Sequence, residues 1–347
     1  MRRYIGIDVH SESCTVAVMG PTGKRLKEAK IETNGKALTD FIRTIAGQRH
    51  ICFEEGTHSE WLYELLEPLA DEVIVAIPEP VRGSKSDSRD AWSRADDLRC
   101  DRITRSVFKA PDRFTMLRAA VKAFVVSQRD MVRTKTRLAN LYRSRGLSGM
   151  SSAIYDPEHR TTWLKRLPAA QAGYAMLLNT QLDALIQTHD RAHDWLLEES
   201  KKVPVVKLLM TAPGIGEIRA AQIVAVVISP YRFRTRRQFW SYCGLAVVTR
   251  SSSDWISDRH GGWQHRAVVQ TRGLNRNRNA ILKNAFKGAA LSVLKTSEHP
   301  LRLAFERSIA AGSKPKLASL TLARRIAGAV LAIWKHNQEY DVTKQQP

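Results

Sequence analysis

The chain opens on alternation. Residues 4–9 and 13–19 are runs of β-branched and apolar side chains, and Gly20-Pro21-Thr22-Gly23 turns the second run into residues 25–32, so a three-strand meander is expected. A helical period follows in Leu38, Phe41, Ile42 and Ile45. Next come a short apolar run Ile51-Cys52-Phe53 ending at Glu54, a helix through Trp61, Leu62, Leu65, Leu66 and Leu69, and a strand over 73–77. The order β-β-β-α-β-α-β predicts an α/β domain over residues 1–110, a mixed sheet with helices packed on it.

Past residue 111 the period becomes helical. Leu117, Val121, Phe124, Gln128, Met131, Lys135, Leu138 and Tyr142 recur four and three apart, as do Leu178, Leu182, Leu185, His189, Ala192 and Leu196. Both series fit heptad seams, predicting coiled-coil helices over 111–203 that pair antiparallel within the chain or form a dimer seam. Plain bundle helices fit the same period. Residues 144–168, with Gly146, Gly149, Ser151-Ser152 and Pro157, break helical order between them. Residues 204–347 read as an all-α domain in which Ala212-Pro213-Gly214-Ile215-Gly216 joins two helices. Such a turn presents backbone N–H groups at a helix start, where they bind phosphate, and it resembles a helix-hairpin-helix element.

Charge divides the chain unevenly. Its 347 residues carry 55 Lys+Arg against 34 Asp+Glu, net +21; residues 1–109 hold 17 and 18 of these, so residues 110–347 alone carry +22. A basic rear of ordinary folded composition favours a nucleic-acid partner over an acidic small-molecule enzyme. Arg129, Arg133 and Arg137 lie along one predicted helix. Residues 230–290 hold 12 Lys+Arg and two acids, among them Arg234, Arg236, Arg237 and Arg250, with Trp240, Trp255 and Trp263 interleaved. No uncharged apolar stretch nears the ~20 residues of a membrane span. Arg2 and Arg3 lead into alternation rather than an apolar helix, so neither a membrane segment nor a secretory leader is expected. Cys14, Cys52, Cys100 and Cys243 show no C-x-x-C spacing, which fits a reducing cytosol.

The front collects carboxylates. Asp8 ends the first strand and Glu54 the fourth, and Asp87 and Asp90 are three apart at the start of a helix. Four carboxylates at one sheet edge repel unless a cation lies between them, and hard oxygen donors suit Mg²⁺ or Mn²⁺, the ions of phosphodiester chemistry. Taken singly, each acid also fits a turn or a helix N-terminus. A sugar-kinase reading of the Gly-x-Asp strand fails on Val9-His10-Ser11, where a phosphate-holding Gly and Thr are needed. In the rear, Thr249-Arg250-Ser251-Ser252-Ser253-Asp254 offers hydroxyls among cations. A serine needs a base or metal to become a nucleophile, and these three fit flexible turn residues equally well.

Together, Tyr4-Ile5-Gly6-Ile7-Asp8, Cys52-Phe53-Glu54-Glu55-Gly56, Lys85-Ser86-Asp87-Ser88-Arg89-Asp90-Ala91, Pro213-Gly214-Ile215-Gly216 and Gln238-Phe239 through Gly244-Leu245 to the serine cluster resemble, in order, the insertion-sequence-110 family of transposases, bridge-RNA-guided recombinases. The resemblance implies a RuvC-like ribonuclease-H fold whose Asp8, Glu54, Asp87 and Asp90 bind Mg²⁺. It implies a coiled-coil segment and a helical transposase domain supplying a nucleophile at Ser252, eight past Gly244, with Ser251 and Ser253 one register away. A covalent phosphoserine to DNA, a bridge RNA pairing with donor and target DNA, and a dimer or tetramer with sites shared between subunits follow from it. So does a bacterial cytoplasmic, nucleoid-associated setting. Outside the resemblance stand a metal-dependent junction endonuclease using water, and a non-catalytic nucleic-acid-binding scaffold.

Overall fold

The computed structural model describes residues 1–78, 86–103, 110, 112–150, 152–252, 255–257, 262–265, 269–296 and 299–341. The chain divides into two compact units, Met1–Asp112 and Arg113–Pro347.

Unit 1 is a mixed α/β layer structure. Strands β1 (Arg2–Val9), β2 (Ser13–Met19), β3 (Arg25–Glu32), β4 (Gln48–Glu54) and β5 (Glu72–Ala76) form one sheet in the order β3-β2-β1-β4-β5. The meander pairs antiparallel, and β1-β4-β5 pair parallel. Crossovers between the parallel strands carry α1 (Gly35–Arg43) and α2 (Ser59–Leu66), with Asn34 Oδ1 capping α1 by accepting from Ala37 N at 2.8 Å. Period-2 alternation sends Ile5, Ile7, Val16, Val18, Ile51 and Phe53 into one buried core with Leu38, Ile42, Leu62 and Leu66 of these helices. The opposite face takes α3 (Asp87–Arg99), through Ala17 and Met19 against Ala91, Trp92 and Ala95.

Gly6 sets how closely α3 lies on the sheet. A Cβ there would come within 2.0 Å of the Ala91 carbonyl oxygen and 2.6 Å of Ala95 N, both main-chain atoms. Trp92 Nε1 donates to Glu28 Oε2 at 2.6 Å and fastens the helix to β3. Gly6→Ala is expected to cost about 1–3 kcal/mol, the usual penalty of overpacking, read as a lowered denaturant midpoint; an unchanged midpoint would mean that the helix rides freely on the sheet.

Unit 2 is predominantly helical. The long helices α4 (Thr115–Arg143) and α6 (Ala169–Lys201) run antiparallel along each other, with the short α5 (Arg160–Leu164) between them in sequence. Helices α7 (Pro204–Leu209), α8 (Glu217–Val227), α9 (Arg236–Tyr242), α10 (Ala280–Lys295), α11 (Pro300–Ala310) and α12 (Pro315–His336) build the rest. One core joins Leu117, Val121, Phe124 and Leu196 of the long pair to α7, α8, α10 and α12. A smaller core at the far end holds Leu138, Tyr142, Ile154, Ala175 and Leu178. Helix α12 is long and apolar enough to cross a membrane by length and composition, but 61% of that window is buried, and Ala323, Ile326, Ala327 and Val330 are fully enclosed in the core.

The contact seam of α4 runs one position earlier than Gln128 and Lys135. Gln128 is exposed, whereas Ser127 and Thr134 are buried and continue the seven-residue spacing from the buried Ala120. Ser127 Oγ lies 3.1 Å from His189 Nδ1, and the His189 ring sits 4.7 Å from that of Phe124. Burial holds the His189 pKa below its ordinary 6.5, with His193 and Lys135 adding to the effect against Asp190. An imidazole with a depressed folded pKa stabilises above the unfolded value and loses that contribution as pH falls through the folded one. The thermal midpoint of unit 2 should therefore fall on acidification from about pH 7 to 5.5, and His189→Gln should flatten that fall.

Residues 247–274, read from sequence as part of a helical domain, contain strands. β6 (Val247–Ser252) pairs antiparallel with β9 (Val269–Leu274), and β7 (Trp255–Ser257) with β8 (Trp263–His265). Val247-Val248-Thr249 is β-branched and Trp255-Ile256 aromatic and branched, the residue types that fit a pleated surface.

Candidate active site

On β1, Gly6 and Asp8 share the face that takes α3, and on β4 Cys52 and Glu54 do the same. Ile7 pairs with Phe53 across the parallel strands, so Asp8 and Glu54 leave the sheet at the same edge. Ser86 Oγ caps α3 by accepting from Arg89 N at 3.3 Å, which puts Asp87 and Asp90 in its first turn. Close packing over Gly6 then brings that turn to the end of β1.

The acids differ in their partners. His10 Nε2 lies 3.0 Å from Asp8 Oδ2 and 3.3 Å from Asp87 Oδ1, bridging strand and helix, and Lys30 Nζ is 4.0 Å from Asp87 Oδ2. Burial pushes the Asp8 carboxyl above its ordinary 3.8, His10 pulls it down, and the charges of Asp87 and Asp90 push it up again, so these aspartates sense one another. Glu54 instead forms an ion pair with Arg94, a largely buried residue on α3 that also lies 3.8 Å from Asp97. One ligand atom each from Asp8, His10 and Asp87 lies within 4.8 Å of the others. Two carboxylates and an imidazole suit a divalent cation, and the nitrogen donor suits Mn²⁺ better than Mg²⁺. His10 and Arg94 are the site residues that sequence reasoning passed over. Their signals were spacing alone: His10 two past Asp8 on an extended run, Arg94 seven past Asp87 on one helix face.

The serine segment in unit 2 is anchored at its start. Thr235 and Gln238 close a capping box on α9. The chain then leaves α9 through Gly244, whose φ of 67° is left-handed and whose Cβ would meet Arg278 Cδ at 2.0 Å. Arg324 Nε donates to Leu245 O at 2.7 Å, and Asn275 Nδ2 donates to Ser241 O at 3.1 Å. From this base β6 runs out to Ser252, opposite Val269. Ser251 pairs with Gln270; Ser253 and Asp254 lie outside the described residues. Two residues separate Ser252 from Trp255 and three separate His265 from Val269, so the two ladders are out of register by one residue beside Ser252. Trp255 and Trp263 are exposed.

The basic candidates occupy surface. Arg129, Arg133 and Arg137, four apart on α4, are all exposed, Arg133 pairing with Asp130 at 3.2 Å. Arg234, Arg236 and Arg237 are exposed at the start of α9, and Arg250 lies in β6 opposite Thr271. Gly214 takes φ 70°, and a Cβ there would come within 2.3 Å of Ala289 O, so the turn before α8 is pressed onto α10. Gly216 caps the N-terminus of α8 and is exposed.

Acids thus gather where the mixed sheet meets its covering helix, and a basic helical unit follows in the same chain. A model of the DEDD domain of IS110 elements, described as "Transposase", matches residues 5–144, and one described as "Transposase IS116/IS110/IS902 family" matches residues 206–302. The chain belongs to the IS110 family of transposases. It is 27% identical over 164 residues to the "Insertion element IS110 uncharacterized 43.6 kDa protein" of Streptomyces coelicolor, a match covering 47% of this chain and 34% of that relative. The matched part therefore spans about a third of the relative's length.

Proposed function

We propose that the chain is a DNA transposase that cuts and rejoins strands through a phosphoserine. Ser252 Oγ attacks the phosphorus of a DNA phosphodiester, losing its proton as the P–O bond to the leaving deoxyribose oxygen breaks, and that oxygen takes up a proton. A hydroxyl of the second strand then attacks the phosphoserine, restoring the serine and forming the new diester, so no external energy source is needed. Asp8 and Asp87, with Asp90 and Glu54, are the residues that would hold the divalent ion, Mg²⁺ or Mn²⁺, which offsets charge on the phosphoryl oxygens when bound. His10 orients Asp8 and Asp87 toward one point, and Arg94 holds Glu54 until the ion arrives. The observation that carries the reading is the meeting of Asp8 with the first turn of α3 over Gly6.

To the same reading belong a RuvC-like identity for the front and the division into 1–110, 111–203 and 204–347. A coiled-coil role for α4 and α6, a helix-hairpin-helix role for the turn at Gly214 and Gly216, a bridge RNA that selects sites, and a tetramer also belong to it. Arg129, Arg133, Arg137, Arg234, Arg236, Arg237 and Arg250 supply backbone contacts to DNA and RNA. Incubating the purified chain with end-labelled element-end DNA and Mn²⁺, then denaturing it, should leave label on the protein, on a peptide containing Ser252. Cleaved DNA with no labelled protein would replace this reading with a water-using nuclease.

A further inference from the structure

A cavity of about 570 Å³ lies between α4, the start of α8 and α10. It unites two stretches read separately from the sequence: Arg129 from the basic face of α4 and Gly216 from the turn before α8 line the same space. Its volume is that of a small-ligand site, large enough for one nucleoside.

Its walls divide by chemistry. Phe124, Ile218 and Ile281 give apolar faces, while Gln128, Gln222 and Asn284 give three side-chain amides. None of these amides has a hydrogen-bond partner within the protein among the described residues. Glu217 adds a carboxylate, already accepting from Ser200 Oγ. Arg219 is braced by donating to Gly214 O at 2.8 Å and to Ser292 Oγ at 3.0 Å, and no carboxylate among the described residues pairs with it. Gly288 makes room for it, since a Cβ there would meet Arg219 Nη2 at 2.9 Å. Free amides beside apolar faces are what a base edge and a base face require: each amide offers a donor and an acceptor together, and a carboxylate accepts from an exocyclic amine.

We infer that this cavity takes one unstacked base of a single-stranded nucleic acid, read at its edge by Gln128, Gln222 and Asn284, with Arg129 holding a neighbouring phosphate at the rim. The inference rests on the reading of this chain as a nucleic-acid enzyme and adds a base-reading site to it. A paired base cannot enter, because its edge is occupied and its faces are stacked, so the site selects strand segments held open, such as loops.

The test is equilibrium binding of the full chain to a short labelled single strand, as RNA and as DNA, to the matching duplex, and to an abasic strand of equal length. Gln222→Ala and Asn284→Ala, with a readout of thermal midpoint to show that the fold is kept, should each weaken the base-bearing strand about tenfold, the scale of one base contact. They should leave the abasic strand and the salt slope unchanged. Arg129→Ala should weaken both strands and lower the slope of log K against log salt by about 1. Whichever of RNA and DNA shows the base-dependent loss is the strand bound. Equal losses on base-bearing and abasic strands, or no loss on either, would overturn the inference. Since no cleavage is read, a chain that binds as stated yet never becomes linked to DNA overturns the phosphoserine reading alone.

Discussion

Replacing Ser252 with alanine is expected to abolish the DNA-linked protein and lower strand transfer on the order of 10⁴-fold or more, the scale of losing a catalytic nucleophile, while nucleic-acid binding stays within about twofold. The separation follows from position. Ser252 is the last paired residue of β6, opposite Val269, and its main chain stays in the ladder whatever its side chain is. Of the cations proposed to hold the backbone, all but Arg250 of β6 lie on α4 and around α9. Ser251→Ala and Ser253→Ala serve as register controls: an adduct lost in one of these and kept in Ser252→Ala would move the nucleophile by one residue. An adduct unchanged in all three would remove serine chemistry from the chain.

Asp8→Asn should lower strand cleavage by on the order of 10²–10³-fold and weaken Mn²⁺ binding, yet raise the thermal midpoint in chelator at pH 7. The two effects have one origin. Burial and the neighbouring aspartates raise the Asp8 carboxyl above its ordinary 3.8. A carboxyl whose pKa is raised on folding favours the folded state below its unfolded value, and that contribution is lost as pH rises through the folded value. At neutral pH the charged form therefore destabilises unit 1, and the amide relieves it. The gain from Asp8→Asn should shrink as pH falls toward 3.8 and vanish below it. A midpoint lowered at pH 7 would show that the bond to His10 outweighs burial and repulsion.

Much of the front could be read from residues alone because each signal was local. Alternation placed the strands of the meander, and the acids at strand ends and in a capped first turn were visible as Asp8, Glu54, Asp87 and Asp90. The partners of those acids were not, since Arg94 reaches Glu54, and His10 reaches Asp87, only after β4 and α3 have been laid beside β1. Gly6 looked like any strand glycine, although the main chain of Ala91 fixes it. In the rear, helical periods hid the β6–β9 ladder because its strands are short and lie 16 residues apart in sequence, and a pairing at that range leaves no periodic trace. The cavity at the start of α8 was likewise beyond reach, its amides coming from three helices with no shared motif.

The ladder that carries Ser252 has a mechanical consequence. Its base is clamped through Gly244, Leu245 and Asn275 to α9, α12 and the residues before α10, and the strand rises to Ser252 over five residue steps, about 17 Å. A tilt of a few degrees at the root moves a point about 17 Å along the strand by about 1 Å. In the reaction proposed above, the stiffness of this root then bears on where the hydroxyl is delivered. Slackening it, as Arg324→Ala would by freeing Leu245 O, should blur where the serine strikes before it slows how fast the serine reacts.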